Sequence, residues 1–372
     1  MASYVIVGAG IIGAAIAERL ASQGETVLIL DGGLPGATAA SFGWINASHY
    51  LDEAHFRLRE AGLKSWHETA DRLGLELSWP GCLTWGEDID AQERALKALG
   101  YPVERLSPRD VAALEPALAP ISQDALRFSA EGVAEAPRVA DALTKAACAA
   151  GAQLLLGQRV VSVLADDGRA IGVETDAGLI FGDHTVLAMG TGTPALLAPL
   201  GIDLPMKHSP ADMVITRATT PMLTHILATP EREIRQDAEG RFWVPSTPKH
   251  QEISGQEEAF DLEAVADASL NALATYLPGA KSAWETVLRG HRPMPKDGLP
   301  VVGPTGVEGL YVATLHSGVT LAALVGDLVA KDLREAGPGP DILSPYRLSR
   351  FSQVEEPRVQ EAKQDLQGPF VR

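Results

Sequence analysis

The chain has 372 residues, 46% hydrophobic and 21% charged, with 36 Gly and 25 Pro; at about 150 residues per domain this suits two globular domains and excludes both a single small module and wholesale disorder. Its 48 Asp and Glu against 31 Lys and Arg leave a formal charge of −17, the wrong sign for tracking a phosphate backbone or an anionic bilayer, so nucleic acid is excluded as a partner. Cys82 and Cys148 lie far apart and in no metal-ligand spacing, which excludes a disulfide framework or a metal site built on them and reads both as buried small hydrophobes.

The opening residues, MASYVIVGAGIIGAAIAERL, carry no basic leader segment and reach Glu18 and Arg19 too soon to span a bilayer, so a cytoplasmic protein without a transmembrane segment is expected. Residues 3–7 predict a strand, the Ala/Ile-rich run to Gln23 a helix, and Thr26 to Leu30 a second strand, which together make a βαβ start. The small-residue stretch GGLPGATAASFG after Asp31 is too long for a simple strand-to-helix connection, and something is expected to lie against it. Helical spacing of Leu58, Gly62, Trp66 and Leu73 predicts a helix over 54–73. Ser107, Pro108 and Asp110 read as an N-cap, a first-turn proline and an acidic third position, opening a helix that stops before Pro116.

A further helix is expected from Pro137 to Gly151, then strands at 153–156, 160–165, 170–175 and 185–189. The turns Asp166-Asp167-Gly168 and Asp176-Ala177-Gly178 make the middle of that run an antiparallel meander. Strands at 213–216 and 241–244 and a helix near 258–277 are assigned to a second domain. Strands at 284–289 and 309–314 and a helix over 318–333 follow; beyond Gly337 the proline-rich charged tail has no pattern.

Gly8-Ala9-Gly10-Ile11-Ile12-Gly13 sits between the first strand and helix, and Asp31 ends the next strand 18 residues after Gly13. This is the context a dinucleotide fingerprint requires. Gly8 serves the tight turn, Gly10 the approach of a pyrophosphate, Gly13 the packing of helix on sheet, and Asp31 a ribose. No Lys or Arg lies between Gly8 and Ala17, so N–H groups and the helix dipole would meet the pyrophosphate charge. Nicotinamide and flavin dinucleotides share this motif.

Three further segments decide between them: SFGWINAS at 41–48, VLAMGTGTPALLAPLG at 186–201, and RGHRPMPKDGLPVVG at 289–303 followed by GLYVATLHSGVTLAALVGDLVA. Together they resemble the D-amino acid oxidase, glycine oxidase and sarcosine oxidase family of FAD enzymes. The resemblance implies an α/β fold with a Rossmann-like, discontinuous FAD domain (1–80, 132–204 and 286–350), an α+β substrate domain (81–131 and 205–285) and a tail (351–372). It implies adenosine along Gly8, Gly10, Ile11, Ile12, Gly13 and Asp31, phosphates under Thr38, Ala40 and Ser41, and Val160 or Val161 near adenine. The flavin ring is then expected between Gly43 and Trp44 and the final helix, where Ser317, Gly318, Val319 and Thr320 aim a helix N-terminus at the O2 side. Gly190, Thr191 and Gly192 match the family's small-residue turn, or are a turn without a ligand. Gly290 and Ile45 stand where relatives carry the cysteine or histidine that attaches flavin covalently, so FAD is expected to be noncovalent.

By the same resemblance Arg292 binds the substrate carboxylate as a bidentate fork. His316 contacts flavin or substrate, or caps the last helix; Leu315 before it departs from the family's usual glycine. Trp44 and Trp243 are candidate pocket walls or plain core. Lys249, His250 and His208 are candidates for a second carboxylate, or solvated surface. The implied activity is oxidation of a small amino or imino acid, such as glycine, sarcosine or iminodiacetate, by hydride transfer to flavin. Imine hydrolysis then gives an oxo acid and an amine, with O2 or another acceptor closing the cycle. The alternatives are an amine or D-amino acid dehydrogenase using a quinone or protein acceptor, a nicotinamide-dependent dehydrogenase, or a flavin-bearing relay subunit. A homo-oligomer is left open, and no metal is expected.

Overall fold

The structure is a computed structural model that describes residues 3–246, 261–335 and 341–351. Its start is β1 (Ser3–Val7), α1 (Ile11–Ser22) and β2 (Thr26–Asp31). Tyr4 to Val7 are all buried, because a parallel strand covered on both faces needs an apolar residue at every position. β1 lies at the centre of a six-stranded sheet in the order Val301–Pro304, Leu310–Thr314, His184–Leu187, β1, β2, Gln153–Leu156. All neighbours are parallel except the first pair. The antiparallel meander is present as Val160–Asp166, Arg169–Thr175 and Gly178–Phe181.

The long helix α2 (Glu53–Leu73) starts at Asp52, whose carboxylate accepts the His55 N–H at 2.7 Å, and ends at Gly74 in the left-handed region. It packs on the last long helix, Gly318–Arg334. A Cβ at Gly62 would stand 2.7 Å from the Thr320 carbonyl, so glycine there permits the crossing. Trp66 clamps the same junction by donating its indole N–H to the Val319 carbonyl at 2.7 Å. The Ser107 capping box forms as expected, with Asp110 completing it.

The second sheet has eight strands in the order Trp284–His291, Pro210–Thr216, Phe242–Pro245, Glu233–Gln236, Ile226–Ala228, Cys82–Thr84, Ala125–Phe128, Glu104–Leu106. Five of these, at 82–84, 104–106, 125–128, 226–228 and 233–236, are not predicted by the sequence pattern, nor is the helix Ile89–Ala98. The strands are three or four residues long, too short for alternation to register, and pairing within the sheet makes them strands. Trp284–His291 pairs along its length with Pro210–Thr216 and so runs across the division expected at residue 286. Cys82 is buried, but Cys148 is exposed: it lies in the last turn of Ala136–Ala149, one residue past buried Ala147 and on the outward face. That corrects the reading of both cysteines as core. Among the described residues no helix is long and apolar enough to cross a membrane.

Candidate active site

At the end of β1 the chain turns on Gly8, at φ +104°, and Gly10 caps α1 with no side-chain bond to the helix N–H groups. A Cβ at Gly13 would lie 1.9 Å from the Gly8 carbonyl, and one at Gly8 2.6 Å from that of Ala188. Both collisions are with backbone, so turn, helix and neighbouring strand close up only with glycine. Ile11 N–H donates to Thr38 Oγ1 at 3.1 Å, which seats the 37–40 loop over the helix start. Asp31 ties the two turns together, accepting Ala9 N–H at 2.8 Å and Gly33 N–H at 2.7 Å. The helix start beneath the 37–40 loop, the glycine-lined turn and the half-buried acid fit the pyrophosphate and ribose of a dinucleotide. Val160 is buried while Val161 is 43% exposed, on a strand whose preceding residue, Arg159, lies against Gly32.

The 41–48 loop runs from this turn toward the last helix. Ser41 Oγ accepts Gly43 N–H at 3.1 Å. Gly43 has φ +82°, and a Cβ there would stand 2.2 Å from the Ala134 carbonyl. Thr320 Oγ1 donates to the Trp44 carbonyl and accepts Asn46 N–H, both at 3.2 Å, so its hydroxyl is committed to the loop. Ser317, the residue before the helix Gly318–Arg334, sits at φ 60°, ψ 27°, a strained conformation for a non-glycine residue. Ile12 and Gly318 face each other, a Cβ on the glycine standing 3.5 Å from Ile12 Cγ1. His316 is half-buried, with Nδ1 3.2 Å from Ser317 Oγ.

Gly290, at the end of its strand, faces Ala40: a Cβ there would stand 2.8 Å from the Ala40 Cβ. Two residues on, the Arg292 backbone N–H donates to the Ser209 carbonyl at 2.9 Å, while the side chain turns inward. Its Nε and Nη1 are buried with no hydrogen-bond partner among the described residues. Burial lowers its pKa from the usual arginine value, and the Glu233 carboxylate opposes that shift. A buried guanidinium with idle donors is costly unless an anion occupies it. The Gly190 turn approaches Pro293, next to Arg292. Thr191, Met206, Lys207, His208, Ser209 and His291 line a cleft of about 330 Å³ on that side, with the His208 and His291 rings 5.4 Å apart.

Trp243 does not present an open face: its N–H donates to Asp237 at 2.8 Å and Arg235 lies 4.3 Å over its ring. Lys249 and His250 lie outside the described residues. Among the described residues, no group of His, Cys, Asp and Glu is placed to hold a metal ion.

Three residues absent from the sequence reading hold the loop. Glu131, fully buried, accepts from Trp44, Ala47, Ser48 and Tyr101. Arg59 donates to Asn46 and Ser317. Arg235 donates to the Phe42 carbonyl at 2.6 Å and to Glu135 through both terminal nitrogens. Only Arg59 left a signal: it shares the helical phase of His55, Gly62 and Leu63, all buried on α2, and a charge on an apolar stripe asks for a partner.

The family model described as DAO, FAD dependent oxidoreductase, matches residues 3–331. The glycine oxidase of Geobacillus kaustophilus (strain HTA426) is 29% identical over 93% of this chain and 96% of that protein. A D-amino acid dehydrogenase of Bradyrhizobium diazoefficiens is 31% identical over 69% of this chain and 61% of its own length. The crystal structure of the Geobacillus kaustophilus glycine oxidase superposes with a TM-score of 0.83 at 26% identity, covering 94% of this chain and 99% of the other.

Proposed function

We propose an activity from one premise: the chain belongs to the FAD dependent oxidoreductase family, whose relatives here are FAD-dependent amino acid oxidases and dehydrogenases acting on CH–NH groups. Within it, this protein oxidises a small amino or imino acid of the glycine, sarcosine or iminodiacetate type, with FAD held noncovalently and O2 as the acceptor that yields hydrogen peroxide. The observation that carries this reading is Arg292, a guanidinium whose buried Nε and Nη1 have no hydrogen-bond partner among the described residues. Bound FAD supplies the two-electron acceptor for the C–H bond beside the nitrogen.

The residues do the rest by position. Gly8, Gly10 and Gly13 leave room for the pyrophosphate against the α1 N-terminus. The 37–41 loop covers it, and Trp44 with the 317–320 turn frames the ring. Arg292 clamps the substrate carboxylate at two nitrogens, which fixes the direction of the reacting C–H bond. Burial strengthens that contact by excluding water. No side chain is assigned as a base, because the substrate amine, once neutral, needs no further proton removed before oxidation. The imine so formed takes up water and splits into an oxo acid and an amine.

Anaerobic addition of glycine, sarcosine, iminodiacetate, D-alanine and D-proline to the purified holoprotein tests the reading. Bleaching of the yellow flavin by one of them, with recovery of colour and peroxide on admitting air, is the expected result; a flavin that none of them reduces overturns the substrate class. Recovery with a quinone but not with air favours the dehydrogenase reading, which the 31% identity to a D-amino acid dehydrogenase supports.

A further inference from the structure

Around the Trp44–Ser48 loop, four donors converge on one carboxylate. Glu131 Oε2 accepts the Trp44 indole N–H at 2.9 Å, and Oε1 accepts Ser48 N–H at 3.0 Å, Ala47 N–H at 3.3 Å and the Tyr101 hydroxyl at 3.1 Å. Such a set of donors favours the ionised form of the acid, since a protonated one would turn its own O–H against a donor, while burial works in the opposite direction. On the other side of the loop Arg59, 4% exposed on α2, donates from Nε to the Asn46 carbonyl at 3.1 Å and from Nη2 to Asn46 Oδ1. Its Nη1 reaches Ser317 Oγ at 2.5 Å, on the strained residue that opens the last helix. All three acceptors are neutral, and the carboxylate that offsets the buried charge of Arg59 is Glu131. His55 supplies no second cation there, because burial and Arg59 hold its pKa at about 3.

A buried acid–base couple adds little net stability compared with a well-packed apolar replacement. What this couple does achieve is geometric: it joins the 44–48 loop, α2 and the Ser317 turn into one charge-linked frame. We propose that Glu131 and Arg59 are positioning residues for the flavin ring, Glu131 by fixing the Trp44 indole and the loop backbone, Arg59 by fixing Asn46 and the Ser317 turn and by lending positive charge to the helix start. This rests on the reading of the 41–48 and 317–320 segments as the two sides of the ring site.

The test compares wild-type holoprotein with Glu131→Gln, Glu131→Asp, Tyr101→Phe and Arg59→Met. In Glu131→Gln the amide oxygen can serve the three donors on one side, but its NH2 then opposes the Trp44 N–H. FAD binding is expected to weaken about tenfold, the equivalent of one lost buried hydrogen-bond pairing, with an altered visible circular dichroism of the bound flavin. Glu131→Asp, which keeps the charge, is expected to restore part of both. Arg59→Met is expected to make the flavin midpoint potential more negative, since a cation beside the reduced, anionic flavin is lost. Should Glu131→Gln not fold, Tyr101→Phe removes a single donor and is expected to shift the same spectrum less. A purely structural couple would lower the melting temperature of the apoprotein and leave the dichroism and potential of the loaded protein unchanged; that outcome overturns the proposal. A wild-type chain that takes up no FAD overturns both this inference and the flavin reading.

Discussion

In the Gly8–Gly13 turn the Ala9 and Ile11 N–H groups find side-chain partners 22 and 27 residues away, at Asp31 and Thr38, and space is made by leaving out side chains. Between Phe42 and Ser48 the partners include Glu131, Arg235 and Thr320, which lie 84, 193 and 274 residues away, and Arg59, 13 residues away; Glu131, Arg235 and Arg59 are buried charged side chains. The first region is a backbone structure, rigid because nothing fits but glycine. The second is a structure of desolvated charges, each costly alone and tolerated only because the others are in place. The two regions should therefore fail in different ways: one by steric collision, the other by loss of a charge.

The largest expected effect lies in the backbone region. Gly13→Ala places a Cβ 1.9 Å from the Gly8 carbonyl and should cost about 3 kcal/mol of apoprotein stability by overpacking, with loss of the yellow cofactor on purification. Urea unfolding together with the visible spectrum reads both, and a yellow variant of wild-type stability would break the contrast.

Next comes the pH response of the charge-held region. Burial raises the Glu131 pKa from 4.5 to about 7 against the bonds from Ser48 and Tyr101 and the charge of Arg59, which lower it. A carboxyl whose folded pKa lies above its unfolded value binds the proton more tightly when folded. Its contribution is therefore fully present below about pH 4.5 and is lost as pH rises to about 7. That loss is about 3 kcal/mol in unfolding free energy, and Glu131→Gln should flatten this part of the profile. An unchanged slope in that variant would show that Glu131 is not the titrating group.

Arg292 sharpens the comparison, being a half-buried charge whose Nε and Nη1 lack, among the described residues, the partners that Arg59 and Arg235 possess. Arg292→Met should lower kcat/KM for the amino acid by about 30-fold, about 2 kcal/mol. It should also leave the flavin spectrum in place and hold or raise apoprotein stability by about 1 kcal/mol. Steady-state kinetics and thermal unfolding of the same sample check this. A stability loss would mean that the guanidinium already has a structural anion.

The smallest effect concerns the thiols. Cys148 is exposed and should react at once with a thiol reagent without changing stability. Cys82 is fully buried beside Glu131, and burial raises its pKa well above the usual thiol value, so it should label only when that region opens. Timed labelling of the native protein counts the two, and rapid reaction of both would show the charge-held region to be loose.

The fingerprint, the βαβ start, the meander and the capping box were legible in the chain because each depends on neighbours within one or two turns, where spacing and residue type decide the conformation. Arg292 was singled out through its motif, though the lack of a hydrogen-bond partner for its Nε and Nη1 among the described residues emerged only from the fold. Five strands of the eight-stranded sheet escaped, since segments such as Cys82–Thr84 carry no period and become strands by pairing with Leu126–Phe128 on one side and Ile226–Ala228 on the other. Glu131 escaped as well, because nothing around it in SAEGVAEAP distinguishes a solvated acid from a buried one. The sequence by itself determined the nucleotide turn and the class of cofactor, where local sterics leave few alternatives. Only the tertiary structure decided which charges are taken out of water, because the cost of a buried charge is set by whatever the fold brings to meet it.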